Sequence, residues 1–297
     1  MIKYSNTPQH KRKDLRRRIR EGELLQLPGA YNALSAMLIE QSGFDGVYVS
    51  GAVVSNSLGL PDIGMTTLSE VVEFTEAIVN RTDIPTIVDL DTGFGETMNV
   101  VRAIQQMEGA GASGCHIEDQ VNPKRCGHLD NKQVIGMKEM CQKINAASNA
   151  RTDSDFLLIA RTDAIAVEGF KSGVYRAEAY VDAGAEMIFP EALQDERDFE
   201  KFRKAIDVPL VANMTEFGKT KLLSRDQLKN LGYNMVIYPV TMQRLAMYAI
   251  RQALAVIKDE GDQSALIEKM LTRKELYQVL GYEAYNTFDD DIFNFNL

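Results

Sequence analysis

Apolar residues recur along the chain in two kinds of run. Short runs rich in β-branched residues fall at Leu25–Gly29, Val47–Ser50, Thr86–Asp91, Gly114–Asp119, Leu157–Asp163, Met187–Glu191, Pro209–Met214 and Met235–Val240. Runs of this length bounded by turn residues read as buried strands. Between most of them the apolar positions take helical spacing. The clearest case is Leu68, Val71, Val72, Thr75, Ile78 and Val79, which follow Thr67 and Glu70 in a capping box. Gly43, Gly111, Gly184 and Gly232 each stand three to five residues before a strand, where a helix ends in the left-handed conformation. Asp83-Ile84-Pro85 and Asp207-Val208-Pro209 introduce the third and seventh runs. Strand, helix and closing turn, repeated eight times, predict an α/β fold of the (β/α)8 TIM-barrel class. A doubly wound open sheet is the alternative, because eight parallel strands need not close.

No change of composition marks a second domain, so residues 1–297 are read as one barrel with an N-terminal helix and a C-terminal helical tail. The chain has 297 residues, of which 45% are hydrophobic, enough for a large core. Its net charge of −9 argues against a general polyanion binder. Residues 11–20, KRKDLRRRIR, run against that trend with seven basic residues and one acid. Such an arm suits RNA or anionic lipid; alternatively Leu15 and Ile19 pack one face of a helix and the charges point outward. No nucleic-acid partner is expected. No apolar run approaches the ~18 residues of a membrane span. Three cysteines, Cys115, Cys126 and Cys141, with no CxxC spacing, suggest a reducing compartment such as the cytoplasm.

Candidate chemistry gathers at the ends of the runs. They close on Ser50-Gly51, Asp89 and Asp91, Glu118-Asp119, Arg161 and Asp163, Glu191, and Asn213 with Thr215. In a parallel barrel these ends share one rim, where active sites form. Asp89 and Asp91, two apart on a strand, face the same side. Two adjacent carboxylates repel unless a cation lies between them, and hard oxygen ligands suit Mg²⁺ or Mn²⁺. The bland alternative is a pair of helix caps. Asp62 and Glu118 stand ready to complete the cation's surroundings. His116 is a satisfied core residue or a ligand. Arg161 offers a rigid fork for carboxylates, or else a structural pair with Glu191.

The pentapeptide Lys124-Arg125-Cys126-Gly127-His128 follows the fourth run. Its cations favour an anionic sulfur and lower a thiol's pKa, so that Cys126 can give up and regain a proton. Cys115 and Cys141 lack such neighbours and read as core.

These motifs resemble the isocitrate lyase and phosphoenolpyruvate mutase superfamily. The resemblance rests on Ser50-Gly51, Leu60-Pro61-Asp62, Asp89-x-Asp91-x-Gly93-Phe94-Gly95, His116-Ile117-Glu118-Asp119-Gln120, KRCGH, Ala160-Arg161-Thr162-Asp163-Ala164, Phe189-Pro190-Glu191-Ala192 and Asn213-Met214-Thr215-Glu216-Phe217-Gly218. It spans nearly the whole chain with the motifs in order. Within the superfamily it looks most like the branch that cleaves 2-methylisocitrate. Isocitrate lyases proper are longer and usually carry KKCGH, and the mutase branch lacks the cysteine loop.

The resemblance implies a barrel that swaps its last helix between protomers, in a homotetramer built from helix-swapped dimers. It implies Mg²⁺-dependent retro-aldol cleavage of a small tricarboxylate to pyruvate and succinate, in propionate catabolism by the methylcitrate route. By matching motif, Asp89 and Asp91 would face the metal, with Asp62 and Glu118 holding its waters. Ser50, Gly51, Ala52, Gly127, Arg161, Glu191, Asn213, Met214 and Thr215 would line the substrate, joined by Arg244 and Arg273. Cys126 would protonate the carbanion, with Arg161, Lys124 and His128 steadying charge. Tyr48 or a metal-bound water would take the hydroxyl proton. Ala52 departs from a second glycine found in many relatives. Related lyases acting on isocitrate or dimethylmalate, hydrolases of oxaloacetate or phosphonopyruvate, and a non-catalytic barrel are the competing readings.

Overall fold

The eight short runs are eight parallel strands in a computed structural model that describes residues 6–127 and 131–293. They are β1 Leu25–Pro28, β2 Val47–Val49, β3 Thr86–Asp89, β4 Gly114–Glu118, β5 Leu157–Thr162, β6 Met187–Pro190, β7 Val211–Asn213 and β8 Met235–Tyr238. The helices are α1 Pro8–Arg20, α2 Ala33–Gln41, α3 Gly51–Ser57, α4 Leu68–Val79, α5 Thr97–Gly109, α6 Met137–Ala150, α7 Ala164–Glu168, α8 Phe170–Asp182, α9 Glu196–Ala205, α10 Arg225–Asn230, α11 Thr241–Glu260, α12 Arg273–Leu280 and α13 Tyr282–Phe293. Strands β2 to β6 pair in chain order, and β1 pairs with β8, which pairs with β7. Single parallel bridges, Gly29 to Tyr48 and Ile188 to Leu210, join the two groups. Every strand therefore has two neighbours, and the sheet is a closed barrel rather than an open one.

Local chemistry accounts for the connections. Thr67 accepts from the Glu70 N–H while Glu70 Oε2 accepts from the Thr67 N–H at 2.7 Å, which starts α4. Val71, Thr75, Ile78 and Val79 form its buried face. Gly43, Gly111, Gly184 and Gly232 all have positive φ, so each helix before them stops where a side chain would be strained. The strands end earlier than the apolar runs do. Asp119, Asp163 and Glu191 are the first residues beyond β4, β5 and β6, and Asp91 is the second beyond β3.

Two apolar layers result. One fills the barrel with Leu25, Leu27, Ile87, Ile159, Met235 and their neighbours; the other lies between strands and helices. Leu15 and Ile19 of α1 join the inner layer, so the basic arm closes the amino-terminal end of the barrel. Its buried cations, Lys11 and Arg12, turn onto main-chain carbonyls. Lys11 Nζ donates to Val79 O at 3.0 Å and to Thr82 O. Arg12 donates to Ala112 O, Glu108 O and Asp153. Val79 and Glu108 lie at the ends of α4 and α5, where carbonyls lack helical partners.

Helix α11, like α12 and α13 after it, is mostly exposed. Of its 20 residues only Gln243 is buried, and Leu245, Tyr248, Leu254 and Ile257 are exposed. Among the described residues no helix is long and apolar enough to cross a membrane.

Candidate active site

The carboxyl-terminal rim surrounds a cavity of about 210 Å³. Thirteen of the residues expected from sequence line it: Tyr48, Ser50, Ala52, Asp62, Asp89, Lys124, Cys126, Gly127, Arg161, Glu191, Asn213, Thr215 and Arg244. Gly51, Asp91 and Glu118 sit just behind this lining. His128 lies outside the described residues.

Asp89 ends β3 with both oxygens engaged. Oδ2 accepts from the Gly51 N–H at 3.1 Å and Oδ1 from the Asp91 N–H at 3.0 Å. Burial opposes its charge, but His116, Lys124 and Arg161 outweigh that effect and hold its pKa at about 2. Asp91 is not part of the strand; it has φ 48°. The left-handed turn, rather than strand alternation, brings its carboxylate beside that of Asp89. A Cβ added to Gly51 would stand 2.8 Å from Asp91 Oδ1 and 3.2 Å from Asp89 Oδ2, so glycine is what leaves room for the pair. Burial, with repulsion from Asp89 and Asp62, raises the pKa of Asp91 to about 6, although Lys124 pulls it down.

Lys124 lines the cavity and reaches back across the rim. Its ammonium is buried and contacts Asp62 Oδ1 and, at 2.8 Å, Asp91 Oδ1. Its charge lies against two carboxylates across the rim. Arg125 is exposed. Its main chain is gripped by Gln120, which donates to Arg125 O at 2.8 Å and accepts from Arg125 N–H at 2.9 Å. The loop's shape thus depends on Gln120, a residue of the quoted fourth-strand motif that had no assigned role.

Glu118 is 1% exposed, and neither carboxylate oxygen has a hydrogen-bond partner. Arg161 Nη1 lies 3.2 Å from its Oε2. Burial, with help from Asp163, drives its pKa well up despite Arg161. Arg161 is held by Asp163, to which Nε and Nη2 donate at 2.9 and 3.2 Å. It lies over the Phe189 ring and 3.7 Å from Glu191. The structural pair with Glu191 is therefore present, and two arms of the fork are taken by Asp163. Asn213 Nδ2 donates toward both Glu191 oxygens. Arg244 bonds Glu216 at the rim.

His116 is a core residue: its Nε2 is 2.7 Å from the Tyr48 hydroxyl. Burial, aided by Arg161 and Lys124, lowers its pKa to about 4, so the imidazole is neutral near pH 7. Burial and Asp89 push the Tyr48 phenol well up. Tyr48 therefore stands in the cavity as a neutral hydroxyl.

Two expected substrate residues lie elsewhere. Met214 alternates with Asn213 and Thr215, so its side chain points outward, packs in the layer under the helices and accepts from the Leu223 N–H. Arg273 is exposed at the start of α12, which packs on α2 outside the barrel. The cavity also has an apolar side the sequence reading missed, made by Phe189, Ile237, Pro239 and Val240. Phe189 and Ile237 were visible as inward positions of their strands.

The donor set fits a hard divalent cation. Glu118 leaves two buried oxygens without hydrogen bonds, and Asp91 Oδ1 meets Lys124 without hydrogen-bond geometry. Among the described residues no three acidic, histidine or cysteine side chains close into an all-protein cage. Mg²⁺ needs none, since it keeps several waters and takes one or two carboxylates.

Residues 15–258 match the family described as phosphoenolpyruvate phosphomutase. The chain belongs to that family. A probable 2-methylisocitrate lyase 2 of Corynebacterium glutamicum is 53% identical over 289 residues, covering 97% of this chain and 94% of its own. The 2-methylisocitrate lyase of Aeropyrum pernix is 46% identical over 278 residues, covering 94% and 90%. Among solved structures, a phosphonopyruvate hydrolase complex with oxalate and Mg²⁺ superposes with a TM-score of 0.86 at 33% identity, covering 94% of this chain and 98% of that one. Members of the family with different names thus share this barrel, and identity is higher to the lyases than to the hydrolase.

Proposed function

We propose that this protein is a carbon–carbon lyase that cleaves 2-methylisocitrate to pyruvate and succinate. The observation that carries the reading is one cavity lined by the Cys126–Gly127 loop, Arg161 and the carboxylates Asp62 and Asp89, with Asp91 and Glu118 directly behind. The names and identities of the lyase relatives support it over the isocitrate, dimethylmalate and hydrolase readings.

Asp89 and Asp91 would hold a divalent cation, with Asp62 and Glu118 on its waters. Mg²⁺ is favoured because the hydrolase relative was solved with it, and Mn²⁺ has the same ligand preferences. When bound, that ion supplies Lewis acidity to the substrate's hydroxyl and adjacent carboxylate. The chain's own groups do the rest. Ser50 caps α3 without a side-chain bond to the helix, leaving its hydroxyl for a carboxylate. Thr215 and Asn213 offer neutral donors, and Phe189, Ile237 and Val240 give the added methyl an apolar wall. The hydroxyl gives its proton to a water in the site, and the carbon–carbon bond then breaks. Its electron pair then passes to the carbon that becomes succinate, and the carbonyl of pyruvate forms. Arg161, fixed as a cation by Asp163, stabilises the charge that develops on the neighbouring carboxylate. Cys126 gives its thiol proton to the carbanion, and the thiolate regains one from solvent or from the hydroxyl proton's acceptor. Tyr48, neutral and buried, serves better as a hydrogen-bond donor than as that acceptor.

We also propose that α11 crosses to a second copy of the chain, as the first step to a tetramer, because its apolar face is uncovered within one chain. The absence of any disulfide among the three cysteines supports a cytoplasmic setting.

The test is pyruvate release from 2-methylisocitrate and from isocitrate, side by side with Mg²⁺, for the native chain and for Cys126→Ser. Preference for the methylated substrate, lost in the variant, is expected. Equal or better use of isocitrate would move the substrate assignment. No cleavage of either by folded, metal-replete protein would overturn the lyase reading.

A further inference from the structure

Lys132 belongs to none of the motifs above, yet it is 7% exposed and sits at the base of the cysteine loop. Its ammonium donates to Asp163 Oδ1 at 2.6 Å and to the carbonyl of Gly127. Asp163 is the carboxylate that grips Arg161 through both oxygens. It is itself fixed from behind, where its N–H donates to Asp119 Oδ1 at 2.8 Å. Asp119 Oδ2 in turn accepts from the hydroxyls of Thr162 and Tyr180. One rigid carboxylate is thus shared by two buried cations, and only Arg161 lines the cavity.

Gly127 is held from two sides. Its α-carbon abuts the site so closely that an added Cβ would lie 2.4 Å from Arg161 Nη2 and 2.6 Å from Glu191 Cγ. Its carbonyl is on Lys132. The backbone near Lys132 is anchored independently of the loop tip. Val121 N–H donates to Gln133 O and Ile135 N–H to Asp119 O, both at 2.9 Å, around a Gln120–Val134 antiparallel bridge. A lysine needed only to neutralise Asp163 would have no use for the Gly127 carbonyl, since Arg161 already pairs with that carboxylate.

We infer that Lys132 is a positioning residue for the cleavage: it pins the Gly127 carbonyl to Asp163 and so sets the Cys126 sulfur in register with Arg161. The inference rests on Cys126 acting as the proton donor. A misplacement of about 1 Å in a reacting group costs on the order of 10²-fold in rate.

The experiment compares the native chain, Lys132→Met, Lys132→Arg and Cys126→Ser by steady-state pyruvate release. In parallel, the rate of Cys126 alkylation by iodoacetamide is read by peptide mass mapping. For Lys132→Met the expected result is a fall in kcat of roughly 10²-fold with KM little changed. Alkylation of Cys126 should rise about tenfold as the loop loosens. Lys132→Arg should recover part of both. A kcat within about twofold of native, or a lower kcat with unchanged alkylation, would overturn the inference. If Lys132→Met does not fold, Lys132→Gln, whose amide can donate to one acceptor, carries the same two readouts. Full activity in Cys126→Ser would instead sink the proton-donor reading, while the alkylation rates would still decide whether Lys132 holds the loop.

Discussion

Arg12 and Glu118 are both almost wholly buried, at 2% and 1% exposure, at opposite ends of the same barrel. At the amino-terminal end every guanidinium nitrogen of Arg12 has a partner: Ala112 O, Asp153 Oδ2 and Glu108 O. At the carboxyl-terminal end neither oxygen of Glu118 accepts a hydrogen bond. Burying a charge costs several kcal/mol unless its bonding groups are satisfied. The lower end meets that requirement and is built for stability. The rim leaves it unmet, and the deficit is what a divalent cation with its waters, and an anionic substrate, would make good. The two ends also invert their signs. Below, the buried cations of α1 close onto carbonyls; above, carboxylates of five different segments converge, with Lys124 and Arg161 among them.

The sharpest way to break this contrast is to neutralise one charge at each end. Glu118→Gln should lower activity by about 10–100-fold, the usual effect of losing an outer partner of a metal site. Its thermal midpoint should hold or rise, because the burial that drives this carboxyl's pKa up weighs on its ionised form and not on a neutral amide. A clear loss of stability with activity intact would show Glu118 to be a structural ion, and the two ends to be alike. Arg12→Met should do the opposite. It leaves Asp153 and two carbonyls without their donor, and an orphaned buried acceptor costs about 1–3 kcal/mol. Urea denaturation should show that loss, while kcat stays near the native value. A fall in kcat at unchanged stability would mean that the lower end reaches the site.

The same contrast explains what the sequence made legible. The strands were readable because a buried strand needs an unbroken apolar run, and the rim carboxylates were readable because they end those runs. Leu15 and Ile19 showed that α1 has an inner face. The acceptors of its cations did not show, since Lys11 reaches a carbonyl 68 residues away and Arg12 one 100 residues away. A carbonyl has no residue signature. Lys124 was legible as a cation but not as a partner of Asp62, because that contact depends on how the loop folds back over the rim. Lys132 and Gln120 were missed for the same reason: each acts on loop main chain. Met214 follows Asn213, and its side chain packs under the helices while its neighbours face the cavity. Arg273, expected from its motif, stands exposed at the start of α12 within one chain.

The smallest expected effect concerns pH and tests whether the lower end is saturated as described. Asp153 has its pKa held below the usual 3.8: burial is the largest single influence and raises it, but the hydrogen bonds from Arg12 and from the Asp155 N–H, with the Arg12 charge, together prevail. A carboxylate whose folded pKa is depressed contributes stability above its unfolded value and loses it as pH falls through the folded one. The part of the Arg12–Asp153 pairing that depends on charge should therefore be complete at neutral pH and fade only below about pH 3.8. Asp153 is one-fifth exposed, so solvent keeps this part to about 1 kcal/mol at most. The stability gap between native protein and Arg12→Met, followed by urea denaturation from pH 7 to pH 3, should stay level and then narrow at the acid end. It should not close, because the two carbonyls of Ala112 and Glu108 lose their donor at every pH. A gap that vanished in acid would place all of Arg12's contribution in the ion pair. A gap that never moved would place it all on the carbonyls, and the lower end would then be held by main-chain capping alone.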